Sequence, residues 1–165
     1  MVTLEEITLI RAPRERCFDL ARSVEVHLLG NTHFGEKAVA LGGVTTGLIG
    51  LGQSVTWRAR HFFVRQNLTS TITAMKSPDS FQDSMTDGAF QFMQHDHFFE
   101  ALPDNETKMH DVFRFSAPIP ILGRIAEVCV LRHYMKMLLR ERNAVIRRVA
   151  ESEEWRRYLR AVEST

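Results

Sequence analysis

A chain of 165 residues is long enough for one domain with a sizeable core and short for two. Its 44% hydrophobic and 25% charged residues exclude a disordered chain, and its net charge of +1 excludes a molecule whose overall field grips nucleic acid. No apolar run reaches the roughly 20 residues needed to cross a bilayer, and residues 1–6 lack the basic and apolar parts of a signal peptide, so a cytoplasmic protein is expected.

Residues 3–10 are β-branched and apolar-rich and read as a strand, closed by Arg11-Ala12-Pro13. Pro13 suits the first turn of a helix over 13–22, with Cys17, Leu20 and Ala21 on one stripe. A second short helix over 24–29 is stopped by Gly30-Asn31. Residues 36–40 are strand-like. The glycine-rich stretch 42–52 has no Lys-Ser/Thr after its glycines and no helix pattern behind them, so it reads as a turn rather than a phosphate cradle. Residues 53–63 put Val55, Trp57, Ala59 and His61 on one face and Arg58 and Arg60 on the other. Residues 66–75 alternate Leu68, Ser70, Ile72 and Ala74 with threonines, and 80–86 align Phe81, Asp83 and Met85. Consecutive strands joined by short turns predict an antiparallel meander and no nucleotide-binding βαβ unit.

The stretch 91–116 reads as a β-hairpin with an unusual inner face. Its first arm places Met93, His95, His97 and Phe99 together, and its second places Met109, Asp111, Phe113 and Phe115 together. Leu102-Pro103-Asp104-Asn105-Glu106 carries the chemistry of a tight connection. Two histidines and an aspartate thus point inward among aromatics, and the expected register sets His97 opposite Asp111. From 121 to about 160 there is no proline, and Ile121, Ile125, Val128, Cys129, Met135, Leu139, Val145, Ile146 and Val149 follow a helical stripe. Thirty helical residues would span about 45 Å, enough to cross a whole sheet. Residues 151–165 are polar and read as a separate turn or a frayed end. Residues 124–160 hold ten Lys/Arg against five Asp/Glu, which reads as a solvated helix face. Cys17 and Cys129 form no CxxC pair and sit in apolar segments, as buried reduced thiols do.

A strand, two short helices, a six-strand meander and a long C-terminal helix resemble the START/Bet v 1-like (SRPBCC) superfamily, the helix-grip fold. Particular residues carry the resemblance: Ala12 to Leu20 is similar to the family's lead into its first helix, and Gly52 to Phe62 to a third-strand pattern in bacterial members. Phe81-x-Asp83, Gly88-x-Phe90, His95-x-His97-x-Phe99 and Thr107-x-Met109-x-Asp111 follow in the family's order. The match spans about residues 3–150 of a single domain covering 1–165, and it is nearest a bacterial polyketide-cyclase-like, ligand-binding-like subgroup without an assigned activity. The resemblance implies an α+β fold: a curved antiparallel sheet of about seven strands wrapped around a C-terminal helix that starts near 121. It also implies a deep cavity between sheet and helix for an apolar or amphipathic ligand.

The concave face should then display Trp57, His61, Phe81, Asp83, Met93, His95, Phe99, Met109 and Phe113 as ligand-binding candidates, with Met135 and Leu139 on the long helix as core or lid. His97 held by Asp111 is the candidate catalytic pair. Several uses of this face compete. The polar residues can form an interior network that fixes the sheet. They can orient a hydroxyl or carbonyl on a hydrophobic small molecule in a carrier, sensor or accessory protein. They can serve cyclase, dehydratase or hydrolase chemistry. A protein-interaction domain using the basic helix is a further alternative. His-x-His puts two imidazoles about 6.6 Å apart at their Cα atoms, but a third ligand (His61 or Asp83) is not singled out by spacing and no outer shell is evident. No metal and no cofactor are therefore expected, nor any nucleic-acid partner; the oligomeric state is left open.

Overall fold

The computed structural model describes residues 1–30, 37–39, 43–61, 64–88, 90–116 and 130–159, with side chains 59–61, 64 and 65 excepted. Strand β1 (Val2–Ile10) turns Val2, Leu4 and Ile10 inward, while Ile7 and Leu9 stay exposed on the outer side. Pro13 then leads into α1 (Arg14–Ala21), which buries Cys17, Phe18, Leu20 and Ala21. Helix α2 (Val24–Gly30) buries Val24 and Val26, and its last residue, Gly30, lies close against the C-terminal helix.

Six strands follow: β2 (Lys37–Val39), β3 (Ser54–His61), β4 (Val64–Lys76), β5 (Ser80–Asp87), β6 (Phe92–Leu102) and β7 (Glu106–Ser116). They pair antiparallel in the order β1-β7-β6-β5-β4-β3-β2, so the first strand of the chain lies beside the last. The β6–β7 connection is a 3-10 turn, Pro103–Asn105, in which Asp104 and Asn105 take φ of 58° and 63°. Asp and Asn tolerate this left-handed backbone better than most side chains. In β4 a register shift between Ile72 and Ala74 breaks the simple alternation: Ala74, which period two would put on the face of buried Ile72, is exposed, and Met75 packs against the core instead. A bulge adds one residue to one strand, so every side chain beyond it changes face.

Helix α3 (Arg132–Glu151) packs against β1, α1 and α2. The first part of the expected long helix, residues 121–129, lies outside the described residues, as does Cys129. The helix ends at Glu151, where the polar stretch 151–165 reads as a separate piece. Ser152 is extended (ψ 174°), its hydroxyl accepts the N–H of Glu154, and a short α4 (Trp155–Leu159) follows. Two apolar clusters form the core. One gathers Ile10, Phe18, Phe81, Phe99, Met109, Ile146 and Val149; the other gathers Val2, Leu4, Met93, Phe113, Phe115 and Leu139. Along α3, Leu139 belongs to one and Ile146 to the other, and the turn between them carries buried Arg142 and Asn143. That polar turn faces the site.

Candidate functional site

A cavity of about 350 Å³ opens between the inner face of the sheet and α3. Its walls are mostly apolar, including Val55, Trp57, Ile72, Phe81, Met93, Phe113, Met135 and Leu139. His27 of α2 stacks on Trp57 with ring centroids 3.9 Å apart, closing one part of the wall. Into this surface the hairpin and β5 introduce Asp83, His95 and His97, and α3 introduces Arg142.

Strand pairing builds the polar cluster. Asp83 on β5 stands opposite His95 on β6, and His97 stands opposite Asp111 on β7. His97 Nδ1 lies 2.6 Å from Asp111 Oδ1, and its Nε2 lies 3.1 Å from Asp83 Oδ1. His97 therefore has a carboxylate oxygen at each ring nitrogen. Asp111, fully buried, also accepts a 2.7 Å bond at Oδ2 from Asn143 Nδ2 and has Arg142 Nη1 3.5 Å from Oδ1. Arg142 in turn donates to the Ala21 carbonyl, and Asn143 donates to the Thr8 hydroxyl. His95 Nε2 comes within 3.0 Å of Asp111 Oδ1, out of line for an N–H donor, and is buried without a hydrogen-bond partner. Rings pack the histidines in place: His97 stacks on Phe81 at 4.2 Å, and His95 meets Phe113 edge-on at 5.1 Å.

The charges follow from these contacts. Burial alone would raise the Asp111 carboxyl, but its contacts with His95 and His97 outweigh that and hold it well below the ordinary range. Asp83 is likewise lowered against its burial, first by the His97 hydrogen bond and then by the positive field of the histidines and Arg142. Burial, with the neighbouring His97, pushes His95 down to about 4 despite Asp111. His95 is thus neutral at neutral pH, and both aspartates are ionised.

Of the residues the sequence singles out, Trp57, Phe81, Asp83, Met93, His95, His97, Phe113, Met135 and Leu139 line the cavity. Asp111 does not reach it and acts from behind the histidines. Phe99 and Met109 do not reach it either: α1 covers that end of the sheet, with Phe18 packed edge-on against Phe99 at 5.5 Å, and Met109 is fully buried in the same cluster. The His61 side chain lies outside the described residues.

No family model matches the sequence, and no curated protein matches it either. Solved structures do match in shape. TTHA0849 from Thermus thermophilus superposes with a TM-score of 0.67 at 15% identity, covering 88% of this chain and 97% of that one. A START superfamily protein from Mycobacterium smegmatis superposes at 0.62 and 8% identity, covering 89% and 98%. Ara h 8.0201 superposes at 0.55 and 14% identity, covering 88% and 97%. The fold is START/Bet v 1-like. Within a START-like fold at such identities the architecture is common property, and the chemistry has to be read from this chain's own side chains.

Among the site residues that sequence reading passes over are His27 on the cavity wall and, in the polar cluster, Arg142 and Asn143. For the last two the signal was present as a gap: between Leu139 and Ile146 the apolar stripe of the helix is occupied by a guanidinium and an amide. A polar pair on a buried stripe needs partners, and here the partner is Asp111.

Proposed function

We propose that this chain binds a compact, largely apolar small molecule bearing one polar group, in the cavity between the sheet and α3. The observation that carries the reading is a mostly apolar wall that holds the cluster Asp83, His95 and His97 with Arg142 beside it, within a volume of about 350 Å³ whose lining also includes Gln66, Asn67 and Ser70. Binding cavities combine these two features, apolar area for affinity and a few placed polar groups for orientation. The volume sits near the lower end of the usual range, which favours a ring system or a medium chain over a whole phospholipid. Buried, unpaired Cys17 suits a reducing compartment, and we place the protein in the cytoplasm.

Native mass spectrometry of the chain purified from its own host tests the reading directly. A co-purified small molecule, displaced by an apolar dye that changes Trp57 emission in a Trp155→Phe background, is the expected result. Repeated isolation of empty protein, with Trp57 emission indifferent to saturating lipophiles, would overturn it.

The Asp111–His97–Asp83 chain favours one second reading, acid–base chemistry on the bound molecule. Asp83 is its cavity-facing end, with 19% of its side chain exposed, so a proton could pass between ligand and imidazole there. Turnover of a recovered ligand that falls at least about 100-fold in Asp83→Asn, with binding retained, would select this reading.

A further inference from the structure

We infer that Asp83, His95 and His97 form a binding site for one first-row divalent transition-metal ion, open toward the cavity. His97 carries an unmet electrostatic demand. His97 presents Nδ1 to one carboxylate at 2.6 Å and Nε2 to another at 3.1 Å. A neutral imidazole has one N–H and one lone pair, so it can satisfy only one of the two. Something positive must lie between Nε2 and Asp83, either a second proton or a metal ion.

Three features favour the ion. The donor atoms of Asp83, His95 and His97 all lie within 4.8 Å of one another, close enough to converge on a single centre. Two ligands about 2.1 Å from one ion at near-octahedral to tetrahedral angles sit roughly 3.0–3.4 Å apart, and the His97–Asp83 pair is already at 3.1 Å. His95, 7% exposed, holds Nε2 3.0 Å from Asp111 Oδ1 but out of line for a hydrogen bond, so this buried nitrogen has no well-made partner, a costly condition that a structure rarely tolerates without a use.

Outer partners are in place as well. Metal-bound histidines usually donate their second N–H to a carboxylate, which fixes the tautomer and aims the free nitrogen. Asp111 does this for His97, and it is itself held by Asn143 and Arg142. These are the third ligand and the outer shell that spacing along the chain does not reveal. Two imidazoles and a carboxylate suit zinc, iron(II), cobalt(II) or nickel(II) and not calcium or magnesium, which prefer all-oxygen sets. Three protein ligands leave at least one coordination position, and it would face the space where an organic ligand's polar group sits. The inference stands without the ligand-binding proposal, since the ion needs no organic partner to bind.

The test uses the full chain stripped with EDTA and titrated with zinc(II) by calorimetry, and with cobalt(II) followed by its visible absorption. The expected result is one ion per chain, a raised melting temperature, and a cobalt spectrum showing nitrogen ligation. Asp83→Ala and His95→Ala should each weaken binding by more than about 100-fold. Asp111→Asn, which touches only the outer partner, should weaken it by about 10–100-fold. His110→Ala, on the outer face beside Glu5, should change nothing and controls for surface binding. Absence of binding by zinc, cobalt, nickel and iron(II) at micromolar concentrations would overturn the inference. Binding that survives both Asp83→Ala and His95→Ala would overturn it too.

Discussion

Asp111 ties the sheet to α3 through a single carboxylate, with His97 on one oxygen and Asn143 on the other. Removing one partner of a buried charged network typically costs about 3–5 kcal/mol, because the groups left behind keep their desolvation without their bond. Asp111→Asn in EDTA-treated protein should therefore lower the urea unfolding free energy by about 3 kcal/mol. A change inside 1 kcal/mol would mean the network does not hold the two layers together. His95 makes a second prediction, in pH. Its folded value of about 4 lies below its ordinary 6.5, so the folded state resists its protonation. The stability it contributes is complete above about 6.5 and is lost as pH falls toward 4, by about 3 kcal/mol in total. Asp83 and Asp111, lowered from 3.8, lose their share at more acid pH, and Glu151, lowered from 4.5, enters at the acid edge, so the upper part of the 6.5-to-4 window is where His95 is read. In metal-free melts, His95→Gln should flatten the slope in that window; an unchanged slope would assign it elsewhere. At this scale the sequence was informative about direction and silent about depth. Period-two alternation identified which side chains share the inner face, from Met93 to Phe99, but it cannot say where along the strand α1 closes over the cavity. Phe99 and Met109 fell on the covered part.

The elements themselves were legible wherever a period or a breaker marked them. Pro13 opens α1, the Pro-Asp-Asn turn joins β6 to β7, and the threonine-rich alternation gives β4. One departure had no such mark. The bulge that exposes Ala74 depends on how β4 and β5 register, a property of the pair rather than of either strand. The break at Ser152 falls where the polar stretch 151–165 reads as a separate turn, and there the serine hydroxyl replaces a helical backbone bond with a local one. The approach to β3 supplies a prediction of its own. A Cβ on Gly43 would lie 2.4 Å from the Ser54 carbonyl oxygen, which already accepts the Val44 N–H at 2.8 Å. Backbone cannot rotate aside as a long side chain does. Gly43→Ala should cost about 1–3 kcal/mol in chemical denaturation, the usual range for overpacking; a neutral result would show that this lead-in relaxes freely.

Taken whole, the molecule keeps a cavity where a sheet and helix could have closed, and that has a stability consequence. Ser70 on β4 lines the space at 6% exposure. Ser70→Ile adds apolar volume there on a strand that favours β-branching, and should raise stability by about 0.5–2 kcal/mol, the usual gain from filling a cavity. The same change should weaken dye binding. Loss of stability with binding intact would argue that Ser70 borders solvent rather than ligand. The layout of the whole was readable because the order of elements along the chain is distinctive. The contents of the cavity were less so, since part of what polarises the site comes from one turn of α3 whose partners lie up to 135 residues away.

The pairing of β1 with β7 carries a consequence in time. A ribosome releases β1 before β7, yet β7 is its strand partner among the described residues, Val2 opposite Phe115 through Ile10 opposite Thr107, and emerges about a hundred residues later. Until then the inward residues Val2, Leu4 and Ile10 have no strand β7 to join, and nascent β1 is a stretch a chaperone would have reason to hold. Closure of so distant a contact also makes folding slow for a domain of this size, in milliseconds to seconds rather than microseconds. A stopped-flow refolding trace faster than that would mean the meander β3 to β7 forms the rate-limiting nucleus alone, and that β1 docks onto it as a late, quick addition.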